Sequence, residues 1–145
     1  MAPNSRFAVA VHLATSMAWL DGETVPSEAL ARSVNTNPVV VRRILGRLAR
    51  ARLVAPHPGA AGGYTLARDP AEITLRDVYR AVEGEGLFAL HANPEARQCP
   101  VSCTIKGLLA GVFQSAEDAV ETTLGKTTLA DLVTRVRRRE GLARR

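Results

Sequence analysis

Apolar residues recur every three to four positions through most of the chain, which is the spacing of helices that bury one face. This pattern predicts six helices, at residues 5–20, 25–34, 35–53, 74–83, 104–124 and 129–137. Two short segments, 53–56 and 64–68, alternate like strands and flank a turn rich in Gly and Pro. The predicted helix N-caps are Ser5, Asn37, Thr74 and Thr128. We therefore expect a chain that is mainly α with one small β-hairpin.

The helix predicted at 35–53 has one apolar face and one basic face. The apolar face holds Val41, Ile44, Leu45 and Leu48. The opposite face and its flank hold four arginines: Arg42, Arg43, Arg47 and Arg50. Because no acidic residue lies between Asn35 and Leu53, these arginines suit a polyanion. From this helix alone, the solvated face of an ordinary core helix explains the pattern equally well.

The segments around this helix favour DNA as the polyanion. A short helix, a tight link at 35–37 and a longer basic helix form a helix-turn-helix, in which the start of the second helix enters the major groove. The predicted base contacts are Thr36, Asn37, Val39, Val40 and Arg43. The predicted phosphate contacts are Arg42, Arg47 and Arg50.

A hairpin directly after a helix-turn-helix is a wing. The glycines of its turn allow positive φ and a close approach of the backbone to phosphate, and they include Gly62 and Gly63. His57 and Arg68 are predicted to touch the DNA backbone. For His57, a loop histidine without a role is the alternative.

Charge is distributed unevenly along the 145 residues, whose net charge is +5. Residues 1–68 hold eight Arg and three acids, whereas 69–134 hold five basic and ten acidic residues. The front is therefore basic and the middle acidic, which favours a nucleic-acid-binding domain joined to a different element. With no signal peptide and no apolar run of 18 residues, we expect a cytoplasmic protein without a membrane partner.

The helix at 104–124 carries a wide apolar stripe. Its members are Ile105, Leu108, Leu109, Val112, Phe113, Ala116, Ala119 and Val120. A stripe of this length exceeds what so small a domain covers, so a helix of a second copy is the expected cover. Burial within the monomer is the alternative.

The predicted domain organisation is a winged helix-turn-helix domain at 1–84, a loop at 85–104, and a dimerisation helix with a C-terminal helix at 105–145. The loop holds the two cysteines, Cys99 and Cys103, as redox candidates. Arg97 and Lys106 nearby would favour their thiolate forms. The alternative is that both are small residues packed at the helix start.

Four segments carry a resemblance to a known family: SRFAVAVH at 5–12, NTNPVVVRRIL at 35–45, GGYTLAR at 62–68 and ITLRDV at 73–78. They resemble the Rrf2 family of winged helix-turn-helix transcription regulators, and the resemblance continues through Cys99 and the long helix. It implies a homodimer paired through that helix, with the recognition helix in the major groove and the wing near the minor groove.

The chain departs from the family pattern at two places. Pro58-Gly59 stands where many members carry Arg-Gly, which weakens the case for an arginine inserted into the minor groove. Cluster-binding members have three cysteines where this chain has two, so it is closer to the cluster-free members and we expect no cofactor and no metal site. The alternative is an iron–sulfur cluster shared across a dimer and completed by His12 or His91.

The predicted function is a homodimeric, sequence-specific transcription regulator of double-stranded DNA, a repressor, with a thiol-based redox response. Alternatives are an iron–sulfur or small-ligand sensor of the same fold, with 87–104 as the effector pocket, and a protein-interaction module that has lost DNA binding. An enzyme is not favoured. The three histidines are scattered, and no catalytic triad or phosphate-binding loop is present in the sequence.

Overall fold

The computed structural model describes residues 5–84 and 86–143. Six helices and one antiparallel hairpin form this part of the chain, which confirms the predicted fold class. The helices are α1 Arg6–Trp19, α2 Ser27–Val34, α3 Pro38–Arg50, α4 Leu75–Val82, α5 Pro100–Leu124 and α6 Leu129–Ala143. The strands are β1 Val54–His57 and β2 Gly63–Leu66, followed by a 3-10 turn at Pro70–Glu72.

The core lies where α1, α2, α3, α4 and α6 meet. All four residues predicted for the apolar face of α3 are buried, namely Val41, Ile44, Leu45 and Leu48. Leu13 of α1 and Val78 of α4 are fully buried opposite them. Because each such side chain contributes about 1.5–3 kcal/mol when removed from water, this core fixes the orientation of α3.

The C-terminal helix belongs to the winged domain, which corrects its predicted grouping with the dimerisation helix. Leu129 and Val133 of α6 lie in the core cluster. The backbone amide of Leu129 donates to Ile73 O at 2.9 Å, and that of Leu75 donates to Thr127 O at 2.9 Å. These bonds fasten the start of α6 beside the start of α4.

Three of the four predicted N-caps are confirmed. Asn37 Oδ1 accepts a hydrogen bond from Val39 N at 2.8 Å. Thr74 and Asp77 form a reciprocal capping box, and Thr128 Oγ1 accepts from Asp131 N at 3.1 Å. The prediction for Ser5 is wrong in its mechanism, because Ser5 occupies the N-cap position of α1 without a side-chain cap bond.

Several predicted boundaries are wrong, and among them α6 runs to Ala143 instead of ending at residue 137. α3 ends at Arg50 instead of residue 53, because Arg52 takes a left-handed conformation with φ 59° and turns the chain into β1. α5 begins at Pro100 instead of residue 104, since Pro suits the first position of a helix. Cys103 therefore lies in the first turn of α5, and only Cys99 remains in the preceding loop.

Candidate nucleic-acid interface

The helix-turn-helix is formed by α2 and α3 and the three residues between them. Asn35 ends α2 in the left-handed conformation, with φ 58° and ψ 51°, which Asn tolerates better than most residues. The backbone amide of Thr36 then donates to Ala31 O at 3.1 Å, and Asn37 caps α3. This tight link holds α3 across α2 with its first turn in solvent.

The exposed first turn of α3 presents two apolar side chains to water. Val39 is 52% exposed and Val40 is 41% exposed, although the next residue, Val41, is fully buried. Neither exposed valine belongs to the buried core, so packing within the domain does not explain why these two exposed positions are apolar. Valine side chains at this place offer the apolar contact that recognises a thymine methyl group in a major groove.

The four arginines of α3 differ in what they contact. Arg43 and Arg50 are exposed, and within residues 5–84 and 86–143 neither makes an ion pair. Arg42 Nη1 lies 3.9 Å from Glu28 Oε1 of α2. An exposed ion pair of this kind contributes little to stability. Arg47 is half-buried, and its Nη1 donates to Val82 O at 2.9 Å. Arg47 thus ties α3 to the end of α4.

Sequence reasoning missed both of these partners. Glu28 is the single acid of α2, and a search for charge pairs between the two helices of the motif would have found it. The sequence contains no indication of the bond from Arg47 to Val82 O, because it joins residues 35 positions apart through a backbone carbonyl.

The wing is anchored to the start of the helix-turn-helix. β1 pairs antiparallel with β2, with Val54 opposite Leu66 and His57 opposite Gly63. Val25 and Tyr64 exchange backbone hydrogen bonds of 3.0 and 2.9 Å, which join the wing to the segment that leads into α2.

The close approach that the wing glycines permit is to the protein's own backbone. A Cβ on Gly63 would lie 2.4 Å from Val25 O, and one on Gly62 would lie 2.1 Å from His57 O. The predicted reason for these glycines, approach to phosphate, is therefore not needed to explain them. The exposed His57 places Nε2 2.8 Å from Thr65 Oγ1, and the exposed Arg68 donates from Nη2 to Glu72 O at 3.0 Å.

The two cysteines lie one helical turn apart where the chain enters α5. Both are free and exposed in the single chain, so neither is packed within it, as the alternative had them. Cys103 N donates to Cys99 O at 3.1 Å, and Cys103 Sγ lies 3.7 Å from Ala96 O. Lys106, expected to favour a thiolate, donates from Nζ to Asn93 O at 2.6 Å.

The residues named as possible iron–sulfur cluster ligands are separate in the described part of one chain. Such clusters need three or four Cys or His ligands, and in 5–84 and 86–143 no three His, Cys, Asp or Glu side chains converge. His12, one of the residues named to complete a shared cluster, has its Nε2 3.0 Å from Ser33 Oγ. The other, His91, is exposed.

The long helix meets the winged domain mainly at α4. Arg80 Nε donates to Glu121 Oε2 at 3.0 Å, and this bond lowers the pKa of the Glu121 carboxyl below its usual range. Phe88 stacks on Phe113 with ring centroids 5.0 Å apart, and the Glu117 carboxylate accepts from Leu87 N. These contacts set the direction in which α5 leaves the domain.

A helix-turn-helix followed at once by an anchored hairpin, with an exposed basic helix, defines the winged helix-turn-helix class of DNA-binding proteins. Comparison with known sequences identifies the family. The profile of the Rrf2 family, described as "Iron-dependent Transcriptional regulator", matches residues 4–135. The chain belongs to the Rrf2 family and is a DNA-binding transcriptional regulator, not an enzyme.

Three similar proteins illustrate the relationship. YwnA of Bacillus subtilis (strain 168), named as an HTH-type transcriptional regulator, is 44% identical over 131 residues, which are 90% of this chain and 96% of YwnA. A transcriptional regulator from Lactobacillus plantarum has a TM-score of 0.78 at 27% identity, covering 92% of this chain and 90% of that one. The oxidized form of Staphylococcus aureus CymR has a TM-score of 0.65 at 25% identity, covering 92% and 96%.

None of the described helices is both long and apolar enough to cross a membrane.

Proposed function

We propose that this regulator is a cytoplasmic, homodimeric, sequence-specific repressor. The observation that carries the proposal is the exposed first turn of α3, where Val39 and Val40 are in water beside Arg43, which makes no ion pair with the described residues. An apolar and cationic surface at the start of a recognition helix matches base edges in a major groove. A dimer seated across an operator would deny the same DNA to RNA polymerase.

The contacts proposed within each half-site follow the exposure of the side chains. Thr36, Asn37, Val39, Val40 and Arg43 are assigned to base edges. Arg42 and Arg50 are assigned to phosphate. Arg47 is also assigned to phosphate, through the guanidinium nitrogens that do not donate to Val82 O. The wing residues His57, Gly62, Gly63 and Arg68 are assigned to the DNA backbone beside the groove.

The apolar stripe of α5 supports the proposed dimer. Leu108 is 66% exposed and Val112 is 62% exposed, and no residue of α5 is buried in the described part of the chain. Two such stripes would cover each other. At 25 residues, α5 is about 37 Å long, comparable to the roughly 34–36 Å between half-sites one DNA turn apart.

Sequence selection from a randomised duplex pool tests the proposal and identifies the operator in the same experiment. We expect enrichment of a two-fold symmetric sequence. Fluorescence anisotropy on that duplex should then give a log–log salt slope of about −5, as six phosphate contacts from two copies of Arg42, Arg47 and Arg50 predict. A pool that gains no symmetric sequence, or a selected duplex bound no tighter than random DNA, would contradict sequence-specific dimeric binding.

The proposed redox response rests on the position of the two thiols. Residues four apart at a helix start have Cα atoms about 6 Å apart, inside the range that a disulfide spans. Oxidation by hydrogen peroxide would join Cys99 Sγ to Cys103 Sγ, the two thiol hydrogens leaving with the peroxide as two waters. The bond would restrain the first turn of α5, next to the segment that contacts the winged domain.

The cysteine variants test this response. We expect stoichiometric hydrogen peroxide to weaken operator binding by the wild type about fivefold or more, the usual lower range of coupling between two sites. Cys99→Ser and Cys103→Ser should each bind like the reduced wild type, before and after peroxide. Because the chain has two cysteines in all, each variant leaves one thiol as the control for simple oxidation. An oxidant effect that persists in both variants would refute the disulfide.

A further inference from the structure

A cavity of about 610 Å³ lies between α1, α2 and α6, away from the recognition helix and from the cysteines. Its walls are mainly apolar and include Val11, Leu30, Leu132 and Val136. Trp19 forms part of the rim and is 37% exposed. A concave apolar space of about 300–1,000 Å³ is the form that small-molecule sites take in proteins.

One end of the cavity is polar. His12 Nε2 lies 3.0 Å from Ser33 Oγ, which joins α1 to α2. Ser16 Oγ donates to His12 O at 3.0 Å and lies 3.4 Å from Ser33 Oγ. Ser16 uses its hydroxyl hydrogen on His12 O, so the exposed Ser33 hydroxyl, with His12 Nε2 donating to its oxygen, is the donor that can orient a ligand with one polar group.

The electrostatic surroundings favour an anion at the polar group. Within the described part of the chain, no Asp or Glu lines this cavity. Arg137 of α6 places Cζ 5.4 Å from the centroid of the Trp19 ring, and these two residues line a smaller adjoining depression together with Glu140. A lining without acids, with the Arg137 guanidinium against the Trp19 ring, favours a carboxylate over an ammonium group.

We propose that this cavity is a binding site for a small aromatic carboxylate. Its ring would pack against Trp19, Val11 and Leu132, and its carboxylate would accept a hydrogen bond from Ser33 Oγ, which in turn accepts from His12 Nε2. The ligand would touch α2, the first helix of the helix-turn-helix, and α6 at once. Where the proposed function holds, occupancy of the cavity therefore changes DNA affinity, because α2 packs directly against α3.

Trp19 is the single tryptophan of the chain and reports binding directly. The probe is 4-phenylbutyrate, which is transparent at the wavelength that excites tryptophan. We expect a saturable change in Trp19 emission with a Kd of about 1 mM or below, the range for a ligand of about 12 non-hydrogen atoms. The matched amine, 4-phenylbutylammonium, should bind at least about tenfold more weakly, because it reverses the charge.

Variants that fill the cavity from two walls locate the site. Ala29→Phe from α2 and Ala8→Phe from α1 should each weaken binding about tenfold or more, since both residues line the space. Ala60→Phe, at the exposed tip of the wing, is the matched control and should bind like the wild type. Circular dichroism shows which variants are folded, and methyl resonances of Val11 and Val136 in the wild type give a readout that needs no variant.

The fluorescence and methyl-resonance measurements separate the site from the proposed function, since neither uses DNA. Operator affinity with and without the probe then tests the coupling. Emission that does not saturate, or unchanged methyl resonances at Val11 and Val136, would overturn the site. Equal affinity of the acid and the amine would overturn the anion preference. A bound probe that leaves operator affinity unchanged within twofold would confirm the site and overturn its coupling to α3.

Discussion

Replacing Leu108 and Val112 together by glutamate is expected to make the protein monomeric and to lower its operator affinity by about 100-fold or more. Both side chains are more than three-fifths exposed in the single chain, so the glutamates replace no core residue and the winged domain stays folded. In a dimer they would place four carboxylates in an apolar interface. A monomer loses the effective concentration that links two half-sites, which is worth about 10²–10⁴ in affinity.

Sedimentation equilibrium and anisotropy on a two-half-site duplex measure the two effects. Gln98→Glu with Gly107→Glu is the matched control, because it makes the same charge change at two exposed positions away from the stripe, and a Cβ at Gly107 meets no atom within 4 Å. The control should remain dimeric and bind normally. If the Leu108 and Val112 variant sediments as a dimer, α5 pairs through another face. If it is monomeric and binds undiminished, the operator needs only one winged domain.

The parts of this fold that the sequence predicted are those governed by local rules. The apolar face of α3 was predicted correctly because Val41, Ile44, Leu45 and Leu48 follow helical periodicity without interruption. Asn37 and Thr74 were identified as caps because their short polar side chains reach backbone amides two or three residues on. Neither prediction depends on residues that are distant in the chain.

The parts that were missed depend on residues far apart in the chain. Periodicity showed that α6 has an apolar face, but not that Leu129 would bond to Ile73 O and place that face in the winged domain. Glycine composition predicted a turn at Gly62 and Gly63, but not that Val25 would approach Gly63 so closely. The cavity between α1, α2 and α6 was missed for the same reason, since its walls come from three separate segments.

The sequence selects the candidate DNA contacts of α3 by their position on the helix. The structure distinguishes them by their exposure and by the hydrogen bonds they make. Arg47 is half-buried and bonded to Val82 O, so its removal would disturb the contact between α3 and α4 as well as any phosphate contact. Arg43 and Arg50 are exposed, and each can be removed without changing the core. A comparison of these two arginines therefore tests the interface most cleanly.

Arg43→Ala is expected to lower operator affinity about 10- to 100-fold for each recognition helix and to relax preference at one base pair in each half-site. Loss of an arginine bonded to a guanine edge removes discrimination against the other bases, worth about 1–3 kcal/mol. Arg50→Ala, at the far end of α3, should instead weaken binding to all sequences alike and reduce the salt slope by about 1 for each phosphate that is no longer neutralised.

Anisotropy titrations against the selected operator, single-base variants and random DNA distinguish the two roles. Arg138→Ala on α6 removes the same charge from an exposed position outside the helix-turn-helix, and it controls for the change in net charge. If Arg43→Ala weakens all sequences equally with a smaller salt slope, Arg43 contacts phosphate and the base readout falls to Thr36, Val39 and Val40. Because valine offers only apolar contact, the operator would then be recognised through thymine methyl groups and DNA shape more than through hydrogen bonds to guanine.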